Sequence, residues 1–348
     1  MFDFSEVTLN SIAIHKVGNR ATEGELKLAH SLTQLDDPDL LELLKNYFLS
    51  PFKQPEFYSF THDTDLTMNE VYNYTQRIFD NQQQLLEQSI NIAKHLYHSS
   101  NHPNIKEGEL YVVTLSNCVV EGELVDAIGL FKSENKDTFI KVYQQTDSFE
   151  VEHHQGINIR KLDKGCLVFN TEKDFGYKVI AIDNTNKNDE ARFWKELFLK
   201  IKPREDDFYQ TSGYINLCKD FVNDVLYEEN KIDRSEQVSL LNKTRDYFSK
   251  SDRFEQEDFE ENVIHQPEVV EQFREYKDNY VAEQGCNLKD SFTISVDAAK
   301  QAKKVFKSVI KLDKNFHLYI HGGRDRVEKG FDHDRGLNYY KLYFDSEG

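Results

Sequence analysis

Six short segments crowded between residues 109 and 183 constrain this chain more than any other feature. ELYVVTLSNC, AIGLFKS, TFIKVYQ, INIRKL, GCLVFN and YKVIAID are rich in Val, Ile, Phe and Tyr, and turn-forming pairs such as GE, EN, DK and NT separate them. Residues of these types suit a pleated, half-buried surface, and spacings near ten residues leave room only for tight connections. Strands joined so closely run antiparallel, because a parallel neighbour needs a crossover of about a dozen residues or more. The stretch predicts an antiparallel meander sheet, and the helical patterns on both sides of it make the fold class α+β.

Upstream, VTLNSIAIHKV at 7–17 alternates as a strand does, and LKLAHSLTQL at 26–35 predicts a second one. Asp36 or Asp37 then caps a helix that begins at Pro38, repeats Leu40, Leu41, Leu44 and Phe48 at helical spacing, and stops before Pro51. Two more helices are expected between 68 and 97. From about 189 to 283 the periodicity turns helical, ending at Gly285. Beyond it, Asp297 is expected to cap a Lys-rich helix running to Lys314, followed by the strand FHLYIHG and a hairpin built from RVEKGF and YYKLYF. The organisation expected is an α+β domain with the sheet over 1–185, an acidic helical region over 186–285, and a small C-terminal α/β module over 286–348.

Composition excludes several classes. With 25 Phe and 18 Tyr the chain carries far too many aromatics to stay disordered. Its longest apolar runs fall well short of the roughly 20 residues of a membrane span, and MFDFSEVTLNSIAIHKV lacks a secretory leader's basic start and apolar core, so a cytoplasmic location without membrane contact is expected. Cys118, Cys166, Cys218 and Cys286 lie far apart with no CxxC pair, as buried thiols rather than a zinc knuckle.

The formal charge is -18, yet its distribution is uneven. Residues 298–348 hold 11 Lys and Arg against 7 Asp and Glu, whereas the rest of the chain holds 32 against 54. At about 100° per helical residue, Lys300, Lys303, Lys304, Lys307, Lys311 and Lys314 fall on one face, and Ala298, Ala302, Val305, Val309 and Leu312 on the opposite one. Like charges at such spacings repel, and a phosphate backbone would relieve them while releasing counterions. Arg324 and Arg326, with Lys329, Arg335 and nearby aromatics, extend the candidate DNA contact. A solvated helix face explains the same lysines. Residues 254–280 hold nine acids and two basic groups, Arg274 and Lys277. They read either as a solvated face or as a dock for a basic protein partner through Glu257, Asp258, Glu260 and Glu261.

Two stretches carry a family likeness. EQGCNLKDSFTISVD, with Glu283, Gly285, Leu288, Ser291, Phe292, Val296 and Asp297, resembles the C-terminal signature of bacterial nucleoid-associated proteins of the NdpA type, and LNSIAIHKV, with Ile12, Ile14 and His15, is similar to their N-terminal opening. The resemblance implies a cytoplasmic protein of the nucleoid that binds DNA without strong sequence preference and has no catalytic residues or cofactor to assign. The signature residues themselves read as structural: a glycine stopping a helix, a Ser-Phe pair making a turn and an anchor.

Enzyme signatures are weak by comparison. Asp332, His333 and Asp334 are capable of binding metal, but alternation puts the two carboxylates on one face and the imidazole on the other, and a hydrogen-bonded Asp turn accounts for them. His153 and His154 project from opposite faces of a strand. HGGRD after a strand lacks the lysine-serine pair of a phosphate loop, and no GxSxG or HExxH motif occurs. A metal-dependent phosphodiester hydrolase built from residues distant in sequence stays open, as does a homo-oligomer.

Overall fold

The structure, a computed structural model, describes residues 2–53, 56–185, 193–227, 234–305, 309–312, 316–319 and 326–346. The architecture is mixed α+β, in two compact units, Met1–Arg204 and Glu205–Gly348.

The first unit is built on β1 (Phe2–Asp3), β2 (Thr8–Val17), β3 (Leu26–Lys27), β4 (Tyr58–Phe60), β5 (Gly108–Val120), β6 (Glu123–Ser133), β9 (Lys164–Phe169), β10 (Lys178–Asp183) and β11 (Ile201–Pro203). Their order is β11-β4-β10-β9-β6-β5-β2-β3, with β1 on the end of β5, and each pair is antiparallel. Glu121 and Gly122 both have positive φ, 54° and 91°, which is the twist a two-residue hairpin between β5 and β6 requires.

Both faces of this sheet are covered, which is why its central strands read as nearly unbroken apolar runs. Leu110, Val112, Ile128, Leu130 and Val168 join a core with helices α2 (Glu70–Asp80) and α3 (Leu85–Ser99) and with the π-helical turns Phe193–Leu199. The alternate residues Tyr111, Val113, Phe131, Leu167 and Phe169 face α1 (Pro38–Leu49), where Phe48 stacks on Phe131 at 4.4 Å. Each such buried aromatic contributes about 1.5–3 kcal/mol. Asp37 supplies the cap of α1, its Oδ1 accepting from the N–H of Asp39 at 2.9 Å, and Pro38 opens the helix as expected.

Two expectations for this unit change. Of the strand expected over 26–35, only Leu26–Lys27 pairs with β2; two residues on, the Ala29 N–H donates to Nδ1 of His15 instead of to the ladder. The meander also breaks. β6 pairs directly with β9, and the chain between them forms a separate ribbon, β7 (Lys136–Gln144) with β8 (Phe149–Ile157), so the strand is FEVEHHQGI rather than INIRKL. His153 and His154 do lie on opposite faces of it, opposite Ile140 and Phe139.

The second unit gathers α4 (Asp207–Asp220), prolonged by π-helical turns over Phe221–Tyr227, α5 (Arg234–Lys250), α6 (Pro267–Gln284) and α7 (Val296–Val305). Gly285 ends α6 at φ 59°, its N–H bonding back to Val281. β12 (Arg253–Glu255) pairs with β13 (Ser291–Thr293), bringing Phe254 onto Phe292 at 4.9 Å inside an aromatic core with Tyr214, Phe248, Phe259 and Phe273. Ala299 of α7 and Leu288 share that core, so helical region and C-terminal helix are built round one interior. Phe193–Pro203, expected at the start of the helical region, belongs to the first unit.

The Lys-rich helix is shorter than its pattern suggests. α7 ends at Val305, and Val309–Leu312 is a strand, β14, paired with β15 (Phe316–Tyr319). Val309 and Ile310 favour extended backbone, and the Phe and Tyr of FHLY lie opposite Leu312 and Val309 in the ladder. β16 (Val327–Asp332) and β17 (Leu337–Leu342) form the expected hairpin; Val327 and Tyr340 pack with Leu312 and Leu318 on Val238 of α5.

Candidate nucleic-acid interface

The cap of α7 is Ser295, not Asp297. The Ser295 Oγ accepts from the Ala298 N–H at 3.4 Å, its carbonyl from the Ala299 N–H at 2.9 Å, and its own N–H donates to Thr211 Oγ1 on α4 at 2.9 Å. That anchoring buries Ala298 and Ala299 and leaves Lys300 exposed. Asp297 sits within the first turn, where acidic charge favours the helix dipole, with its Oδ1 3.8 Å from Lys300 Nζ. The lysine face therefore begins with an acid beside it.

The remaining candidates divide by element. Lys303 and Lys304 follow Lys300 by three and four positions in α7. Lys311 stands in β14, opposite His317 in the register, so the six lysines do not share one helix. Lys307, Lys314 and Arg324 lie outside the described residues. Arg326 precedes β16, its Nη1 2.6 Å from Asp345 Oδ2. On the same hairpin Arg335 lies 3.7 Å from Asp332 and Lys341 3.5 Å from Glu328, whose carboxylate raises the pKa of the Lys341 ammonium. Spacing in the sequence announces Asp297 and Asp332, each three residues before its cation; Glu328 and Asp345 emerge only from hairpin pairing. Exposed pairs of this kind are worth about 0–1 kcal/mol each, so a phosphate competes for such cations on nearly equal terms.

The acidic candidates are not equivalent either. Gln256–Phe259 is one α-helical turn that continues as π-helix over Glu260–Ile264. Glu260 is buried and clamps Arg274 through both carboxylate oxygens, 3.0 and 3.1 Å from Nε, while also accepting from Gln256. Asp258 accepts from the Tyr247 hydroxyl at 2.7 Å and from Asn262 at 2.8 Å. Glu257 and Glu261, with Asp258, Asp278 and Asp290, line a cleft of about 790 Å³. Lys277, buried at its wall, reaches Asp290 at 2.5 Å.

Asp332 makes the expected turn: its Oδ1 accepts from the N–H groups of Asp334 and Arg335, each at 3.0 Å. Among the described residues no group of three or more His, Cys, Asp or Glu is placed to hold a metal ion, and no helix is long and apolar enough to cross a membrane.

No curated protein matches the chain. A family model described as nucleoid-associated protein YejK matches residues 13–336, spanning nearly all of the first unit and most of the second. By that match the chain belongs to the nucleoid-associated protein YejK family.

Proposed function

We propose that this nucleoid-associated protein binds DNA directly, without strong sequence preference and without catalysing a reaction, through the outward side of α7. The observation that carries the reading is the orientation of the start of that helix, where Ala298 and Ala299 are buried, Ala299 within the second unit's core, while Lys300 is exposed. Lys300, Lys303, Lys304, Lys307 and Lys311 would supply phosphate contacts, with Arg324 and Arg326 adding to them. Lysines on phosphates position a protein and carry no base readout. The family supports a location at the nucleoid.

A salt titration of binding to duplex DNA tests this. Changing Lys303, Lys304 and Lys307 together to Glu should cut affinity at least tenfold and flatten the slope of log K against log salt by about 3, at roughly 0.9 per lost phosphate contact. Unchanged affinity sinks the reading. Metal-dependent cleavage of the DNA, abolished by chelator, would contradict the non-catalytic part.

The cleft favours a second reading, docking of a basic protein segment on Glu257, Asp258 and Glu261. Binding of a Lys-rich peptide that disappears when these three become Gln or Asn supports it; Glu260 stays untouched because it holds Arg274.

A further inference from the structure

Between β6 and β9 the chain leaves the main sheet as the β7–β8 ribbon, and every residue of β7 is exposed. Directly opposed residues project from the same face, so the pairing sorts the ribbon's side chains into two sets. One set is charged, with Asp137, Glu150 and Glu152 beside Lys141: Lys141 lies opposite Glu152, Glu152 reaches His154 at 3.1 Å, and the Phe139 ring lies over Gly156 and stacks on His154 at 5.7 Å. The other set presents Ile140, Val142, Phe149 and Val151, exposed by 68%, 58%, 68% and 63%. Uncharged Thr138, Gln144 and Gln155 surround them, with His153 opposite Ile140.

The ribbon's base is held firmly. Glu134 and Asn135 at one foot donate their backbone N–H groups to Asp163 at the other, at 2.6 and 2.9 Å. Beneath them Lys132 and Lys164, both buried, bond Glu134 at 2.8 Å and Asp183 at 3.0 Å. Buried charges are costly unless fully partnered, and here they fix where the ribbon leaves the sheet.

We propose that the apolar face of the ribbon docks a second copy of this chain, face to face about a two-fold axis. Charge favours a copy over a foreign partner. From Thr138 to Gln155 this face carries no carboxylate or ammonium, so two chains of net charge -18 meet there without opposing like charges. Symmetry sets the same patch against itself, so an apolar centre with a polar rim finds its match in the other copy. Area agrees: the four residues expose roughly 500 Å² per copy, about 1,000 Å² for two, the lower bound for a specific interface, and a patch of that size on one chain is often functional. An interface at that lower bound belongs with weak, reversible association.

Sedimentation velocity on the full chain without DNA, from about 1 to about 100 μM, tests the proposal. The wild type should pass from monomer to dimer across that range. Val142→Asp with Val151→Asp should raise the dissociation constant at least tenfold, while Glu150→Gln with Glu152→Gln, on the opposite face, should leave it unchanged. Neither valine belongs to a core cluster, so thermal unfolding of the aspartate variant should match the wild type and confirm that it is folded; the milder Ile140→Ser serves if it does not. A wild type that stays monomeric at about 100 μM, or an aspartate variant that associates as well as wild type, overturns the proposal.

Discussion

Lys164 and His15 show how much of this fold depends on single polar groups placed inside it. Lys164 has no exposed side-chain surface, and its ammonium lies 3.0 Å from both oxygens of Asp183 and 2.5 Å from Thr185 Oγ1. Lys164→Ala takes from the buried Asp183 carboxylate the ammonium that bonds both its oxygens and leaves Glu134 to Lys132, and urea denaturation should show a loss of about 3–5 kcal/mol. His15 is buried with Nδ1 accepting from the Ala29 N–H and Nε2 2.9 Å from Ser89 Oγ, an arrangement that suits the neutral ring. Burial lowers its pKa from 6.5 to about 4. The unfolded chain takes up the proton first as pH falls, so the stability this histidine contributes is complete above about 6.5 and drains away toward about 4. Across that window the urea midpoint of the wild type should fall more than that of His15→Gln. From the sequence, His15 reads only as part of a family opening; its role depends on Ser89, 74 positions away in the chain.

Elements were legible where their determinants are local. Asp37, Pro38, the leucine spacing and Pro51 define α1 without reference to anything else in the chain, and Gly285 stops α6 in the same way. The lysine helix was harder to delimit because its charged and apolar spacing continues past the point where Val309 and Ile310 find a strand partner in β15. Ladder pairing is nonlocal, so the pattern of β7 reads as strand while hiding that it leaves the main sheet and takes FEVEHHQGI, not INIRKL, as its partner. The same limit applied to the candidate site: which lysines exist was plain, but which acids stand beside them was plain only at a spacing of three. Ser295→Ala should destabilise the second unit by about 1 kcal/mol and weaken DNA binding with it, since the cap holds the start of α7 in place. Hydrogen exchange confined to α7 separates that effect from global unfolding. At Gly176, φ is 84° and an added Cβ would meet the Phe60 carbonyl oxygen at 2.3 Å, so Gly176→Ala should cost about 1–3 kcal/mol and loosen the β4–β10 pairing.

At the scale of the whole molecule, a net charge of -18 repels DNA everywhere except where cations are grouped. Two chains joined through their ribbons would carry two α7 helices into one complex, and the second contact would then form at a raised effective concentration. The Val142→Asp, Val151→Asp variant should accordingly bind long duplexes more weakly than wild type yet bind a short duplex, with room for one chain, equally well; gel-shift titrations at fixed salt compare the two lengths.

The outermost strands of the main sheet, β3 and β11, are two and three residues long, and β11 closes on Pro203. Such borders offer an incoming chain almost no backbone to template on, and the proline withholds a donor altogether. Strand addition at β3 and β11 themselves, whether in fibril seeding or in strand exchange between molecules, should therefore be disfavoured.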